Sequence, residues 1–331
     1  MIMIFVNDGG GGYWYMEHAT WNGLYVADLV FPWFIWIMGV CIPMSVKSAV
    51  KKQTPVKTVL WQVTIRSIKL FLLGFILNTL GGWINVSRLR VPGVLQRFAI
   101  CYFVVFLVGY SFTPGTPIKT PSRLAQMVDI IQLAPQWAVM LTILTVHQCI
   151  AYLVPAPGCQ PGYAGPGGLH DWSPERNNSG CIGGITGYID KVMERMSSLN
   201  VVKYCPLQQF FTVDHIYGNP TAKHEYTASA FDPEGLFGIL TSIFQVWLGY
   251  QAGYIILSYS GHIARVSRWL IWSLVTGIIG ALLCLGSQND GPVPLNKNLW
   301  SISLVMVTSC FAFALLSFLY IIIDVAKVRI S

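Results

Sequence analysis

Charge is what this sequence has least of. Only 11% of its 331 residues are Asp, Glu, Lys or Arg, while 54% are hydrophobic; an ordinary soluble domain is about one quarter charged. That scarcity argues against a water-exposed globule. Also missing are the spacings by which cysteine and histidine hold metals, since no CxxC or HxxxH pair occurs; no metal centre is expected. Basic residues are not interleaved with aromatics, so no nucleic-acid partner is expected either. There is no internal repeat and no low-complexity tract. The segment Met1–Val6 lacks the basic n-region of a signal peptide and is too short to cross a bilayer. The chain reads as starting partway along a helix, as a fragment would, and its tail Lys327–Ser331 stops just after an apolar run.

What is present is a series of apolar runs near the ~20 residues that span a bilayer. They fall at Leu24–Met44, Ile65–Leu80, Val94–Ser111, Pro135–Val154, Gly235–Leu257, Trp269–Leu285 and Leu299–Val325. Hydrocarbon leaves backbone polar groups no outside partner, so the runs must be helices. The expected fold class is all-α, a polytopic transmembrane bundle in contact with the lipid bilayer.

Lysine and arginine set its orientation, because they accumulate on cytoplasmic loops. Lys47, Lys51, Lys52, Lys57, Arg66, Lys69, Lys119, Arg123, Arg265, Arg268, Lys327 and Arg329 fall on one side, against Arg88, Arg90, Arg97 and Lys297 on the other. The glycine-histidine stretch near the N-terminus and the long stretch 155–234 are therefore expected away from the cytosol. The net charge of +7 is mostly this topology signal.

The 155–234 stretch is rich in Gly, Pro and Asn, a turn-forming composition. Cys159 and Cys181 bracket its first part, and on a non-cytosolic face a disulfide is the default reading. Asn177-Asn178-Ser179 is an N-glycosylation acceptor on that face; Asn85-Val86-Ser87 also matches but lies close to the membrane. Cys41, Cys101, Cys149, Cys284 and Cys310 lie in spans and read as small packing residues. Cys205 has no assigned partner.

Chemistry is concentrated at "FVNDGGGGYWYMEHATWNGLYVADLVFPWF". His18 stands where a turn meets a span, and Asp28, ten residues on, lies inside that span. An ionisable residue in a span is by default a functional candidate. The carboxylate would want a cation or a donor, and an imidazole supplies one. Asn7 could donate to a developing oxyanion, and the glycines Gly9–Gly12 let backbone approach a ligand. The plainer reading is an interfacial histidine satisfied by backbone. A second cluster, "SRLRVPGVLQRFAI", holds Arg88, Arg90, Gln96 and Arg97 and reads either as an anion cradle or as membrane-edge anchoring. In "FDPEGLFG", Asp232 and Glu234 around Pro233 fit a helix start. "GPVPLNKNLWS" places Asn296, Lys297 and Asn298 ahead of the last span, to cap it or to line a polar cavity.

These stretches, with "RVPGVLQRFAICYFVV", "PVPLNKNLWS" and "LVPAPGCQPGYAGPGGLHDW", closely resemble the heparan-alpha-glucosaminide N-acetyltransferase family of the lysosomal membrane. The resemblance covers nearly the whole chain. It implies a single transmembrane acyltransferase domain over 1–331 with the 155–234 loop inserted in the lumen. It also implies transfer of acetyl from cytosolic acetyl-CoA to the terminal glucosamine amine of heparan sulfate. By resemblance His18 is the active-site histidine, with Asn7 beside it and Asp28 in support; Arg90, Gln96 and Arg97 also match family positions. A homodimer is implied as well. The family carries a luminal domain and a helix ahead of the part matched by Met1, and two helices beyond Ser331. The segment "MERMSSLNVVKYCPLQQFFTV" is longer than the family pattern. Two routes stay open, an acetyl-imidazole intermediate or general-base attack by the amine. A transporter with an Asp-His proton relay, or an acyltransferase for another luminal sugar, are the alternatives.

Overall fold

Because lipid cannot satisfy a bare backbone, each apolar run has to close its own hydrogen bonds, and in the computed structural model it does so as a helix. The structure describes residues 4–5, 10–16, 18–19, 21–80, 93–112, 127–167, 181–192 and 235–326. Among these there is no strand, and seven helices are long and apolar enough to cross a membrane. They are α1 (Val26–Lys51), α2 (Val56–Leu80), α3 (Val94–Ser111), α4 (Ala134–Leu153), α5 (Ile239–Ser258), α6 (His262–Cys284) and α7 (Ile302–Tyr320), the last extended by a wide π turn over Ile321–Val325. Arg90, Asn7, Asn177, Asn85, Cys205 and Asp232 lie outside the described residues.

Away from their basic ends the expected spans agree with the helices to within four residues, the largest difference being Gly235 against Ile239. α1 runs on past Met44 to Lys51, α2 begins at Val56 instead of Ile65, and α6 begins at His262 instead of Trp269. Charged residues end an apolar run without ending a helix. Arg66 and Lys69, counted with the loop cations although the expected span Ile65–Leu80 contains them, lie inside α2, about 15 and 20 Å along its axis at 1.5 Å per residue. Arg66 lays its guanidinium over the Tyr102 ring of α3 and donates to that hydroxyl at 3.3 Å. The cysteine reading also needs correction in part. Cys101 and Cys284 are buried as packing residues, whereas Cys41 and Cys149 face outward from the bundle.

α5 is the axis of the assembly, with most of its surface covered by α1, α3, α4 and α7. It can therefore carry Thr241, Ser242, Gln245 and Gln251 fully buried. Gln245 shows why this is tolerated: its amide donates to Pro32 O and Thr308 Oγ1, both at 3.1 Å, and accepts from Trp300 Nε1 at 3.0 Å. Such interhelical bonds replace the water a soluble core would offer. α1 and α5 cross in close backbone contact, because Gly39 meets the Val246 carbonyl and Gly249 the Trp36 carbonyl, where a methyl group would collide. Aromatic edges fill the remaining core, with Trp36 against Phe313 and Trp137 against both Phe244 and Trp247.

Alternation of seven helices puts two groups of loops at opposite ends. His18, Asn22, the 154–167 segment and the 285–301 loop meet at one end, joined by Trp21 Nε1–Ala164 O at 3.0 Å and Gly23 N–Leu295 O at 2.8 Å. Lys51, Lys52, Arg265 and Arg268 belong to the other.

Candidate active site

α1 starts with a polar device rather than an apolar one. Asp28 is its third residue and is completely buried. Its Oδ2 accepts the backbone N–H groups of Ala19 and Tyr25 at 3.1 and 3.2 Å, so the carboxylate caps the helix and pins the turn that carries His18. A negative charge at a helix N-terminus is also favoured by the aligned peptide dipoles. Its Oδ1 faces His18 Nδ1 at 2.7 Å and Lys297 Nζ at 3.0 Å.

Lys297 Nζ also lies 3.0 Å from His18 Nδ1. An ammonium has no lone pair, so the three atoms are best read as two donors meeting one carboxylate oxygen. Nδ1 then carries the proton, and Nε2 meets no hydrogen-bond partner among the described residues. The His18 side chain is 45% exposed while Asp28 is wholly enclosed. An exposed, oriented imidazole on a buried carboxylate can take a proton or attack an acyl carbon.

Lys297 reaches this pair because of how its loop is tied. Asn296 forms a two-residue bridge with Asn22 and donates to its side-chain carbonyl at 3.0 Å. The Asn296 Oδ1 accepts Leu299 N–H at 2.9 Å, and Ser301 caps α7 while its Oγ accepts Asn296 N–H at 3.0 Å. Asn296 thus lines a cavity and braces the loop, whereas the cap itself is Ser301. Asn298 is half-buried and makes no hydrogen bond among the described residues.

Gln96 and Arg97 lie elsewhere. Both are buried in the first turn of α3, and Arg97 donates to Gly235 O at 3.1 Å with its guanidinium 4.7 Å from the Trp300 ring centre. Arg97 is thus directed inward onto the start of α5 and the loop that carries Lys297, and the structure does not bring it onto His18. Cys159 and Cys181 are joined by a disulfide. His147 of α4 was passed over in the sequence; a titratable residue inside an apolar run was the signal that marked it.

A bundle of membrane-crossing helices with a carboxylate-held imidazole at one mouth defines a polytopic membrane protein equipped for proton or acyl chemistry. No protein-family model matches the chain. Over 332 aligned positions, 98% of the chain, it is 38% identical to the heparan-alpha-glucosaminide N-acetyltransferases of Mus musculus and of Homo sapiens. The chain spans about half the length of these curated relatives, 48% and 47%. The resemblance read from the motifs is borne out, and the chain is a relative of these acetyltransferases throughout the portion it matches.

Proposed function

We propose that this protein transfers acetyl from acetyl-CoA to the amine of a terminal glucosamine in heparan sulfate, with His18 as the reacting group. The observation that carries the reading is the His18–Asp28–Lys297 arrangement, standing in a chain 38% identical to acetyltransferases. Asp28 holds the imidazole with Nε2 outward, and Lys297 balances the carboxylate so that its charge is not left alone in a buried site.

Acetyl-CoA is a substrate here. Its phosphates suit the basic end of the bundle, where Lys51, Lys52 and Lys57 are exposed. The acceptor approaches the His18 end. At that end Nε2 either takes the acetyl group with release of the thiol, or removes the proton of the attacking amine. Asn7 is proposed as an oxyanion donor, and Arg90 as a contact for the anionic polysaccharide. With the basic end cytosolic, the His18 end and the glycosylation acceptor Asn177 face the lumen of a lysosome, and the protein pairs as a homodimer.

The test is acetyl transfer from labelled acetyl-CoA to glucosamine. Wild type is expected to form the acetylated sugar and His18→Ala is not. In the absence of sugar, label trapped on wild type and lost in His18→Ala selects the covalent route. Equal transfer by both chains, or no binding of acetyl-CoA, removes the proposal.

A further inference from the structure

Two cations stand where a membrane tolerates them least. Arg66 and Lys69 are the eleventh and fourteenth of the 25 residues of α2. α3 gives the same height, because Arg66 rests on Tyr102, the ninth of its 18 residues. A charge at mid-span is costly and marks, by default, the path of a substrate or an ion. Arg66 does not escape by reaching for an interface, since its guanidinium is held on the Tyr102 ring.

Four other cations of the bundle are already answered. Arg97 donates to Gly235 O, Arg265 to the carbonyls of Tyr259 and Ile256, Arg268 meets Asp129, and Lys297 meets Asp28. Arg66 has the neutral Tyr102 hydroxyl alone, and Lys69 has no partner among the described residues. Gln62, Arg66 and Lys69 are all exposed, and their i, i+4, i+7 spacing puts them on one helix face. What this stripe lacks is an anion.

A groove beside it leads to His18. Tyr102 and Phe98 are four residues apart and share one face of α3. Phe98 meets Phe31 and Phe34 of α1, with ring centres 5.8 and 6.4 Å apart. α1 and α2 thus wall a groove whose floor is that aromatic face. Phe31 lies one turn beyond Asp28, which holds His18. At 1.5 Å of rise per residue, Tyr102 stands about 11–15 Å below Asp28.

That height matches the donor. An extended chain covers about 1.2 Å per bond, so the roughly 13 bonds from the inner phosphate of acetyl-CoA to its sulfur reach about 16 Å. Lys51, by contrast, is about 35 Å from Asp28 along α1. A phosphate left at that end would strand the thioester about 20 Å short of His18.

We infer that Arg66 and Lys69 bind the inner phosphate of acetyl-CoA at mid-membrane, so that the thioester reaches His18. The guanidinium fork suits phosphate, and Lys51, Lys52 and Lys57 gather the anion at the entrance. The inference rests on the acetyl-transfer reading and deepens it.

The experiment follows transfer to glucosamine by solubilised wild-type, Arg66→Gln, Arg66→Lys and Lys69→Gln chains. Three donors are compared: acetyl-CoA, S-acetyl-4′-phosphopantetheine, and S-acetylpantetheine, which keeps the thioester and has no phosphate. Acetyl-CoA binding is measured in the same preparations. Wild type is expected to show a KM about 100-fold lower for both phosphorylated donors, tenfold for each cation, or about 1.4 kcal/mol apiece. Each Gln variant should shrink that preference about tenfold through KM, and Arg66→Lys should keep part of it. The inference is overturned if the Gln variants keep the wild-type preference, or if wild type uses S-acetylpantetheine as well as acetyl-CoA. It also falls if the variants lose co-purified anionic lipid while acetyl-CoA binding is unchanged. Lys69 is exposed, so Lys69→Gln reads the site even if Arg66→Gln does not fold. Acetyl-CoA binding that depends on Arg66 and Lys69, without transfer, removes the acetyl-transfer reading and leaves the phosphate site. Transfer with a donor preference independent of both does the reverse.

Discussion

Each end of the bundle contains a fully buried aspartate facing a basic side chain, and the two differ in what else surrounds the carboxylate. At the basic end Asp129 meets Arg268 at 3.1 Å, Gln251 Nε2 at 3.0 Å and the Tyr259 hydroxyl at 2.9 Å, while the Arg268 guanidinium lies over the Tyr259 ring. These partners lock the short helix Val128–Gln132 to α5 and α6. At the other end Asp28 takes two backbone donors and one lysine, and the last partner is a half-exposed imidazole. A carboxylate enclosed by protein donors holds a structure together. One whose outermost partner is an exposed base with a free nitrogen can drive a reaction.

Exchanging single groups at the two ends should separate chemistry from stability. The largest effect is expected from His18→Ala, which should lower acetyl transfer by about 10²–10⁴, the usual contribution of a positioned acid–base group. Retained transfer would move the reacting group elsewhere. Asp28→Asn and Asp129→Asn form the crossed pair. The first should lower transfer by at least about 10² by releasing the tautomer of His18. The second should leave the His18-dependent reaction in place while costing about 3–5 kcal/mol of stability, as breaking a buried ion pair does. Thermal unfolding and transfer rates, taken on both variants, decide this: both should lose stability, because Asp28 faces Lys297 at 3.0 Å as Asp129 faces Arg268, but only Asp28→Asn should lose transfer, and an equal loss of transfer by both would erase the distinction between the ends. Lys297→Met should fall between, with a roughly tenfold loss of transfer, because Asp28 keeps its backbone donors.

How far these two sites could be read beforehand depends on sequence distance. His18 and Asp28 are ten residues apart, and a carboxylate in an apolar run next to a histidine is visible without a fold. Lys297 stood out only as a polar residue before a span, since its contact with Asp28 crosses 269 positions. Arg97 gave no sign in the sequence that it would turn inward onto Gly235 and Trp300. The seven spans were legible because lipid-facing helices must be apolar, and their basic ends were not, because lysine and arginine tails reach toward the interface. The Asp129–Arg268 pair went unread for the same reason as Lys297: its contact crosses 139 positions.

The smallest effect tests whether Tyr259 is part of the closed shell around Asp129. Partial burial, together with the bond to the neighbouring carboxylate, pushes its phenol up to about 12 from the usual 10.0. The folded chain therefore holds that proton to higher pH than the unfolded chain does. Its contribution to stability is full below about pH 10 and is lost as the pH rises toward 12. Removing the hydroxyl in Tyr259→Phe should lower the melting temperature by a small, constant amount below pH 10, and the gap from wild type should close between pH 10 and 12. Melting curves of both chains across that window provide the check. A gap that persists at the alkaline limit would mean that the ring, through its stacking under Arg268, holds this end together, and that the hydroxyl does not.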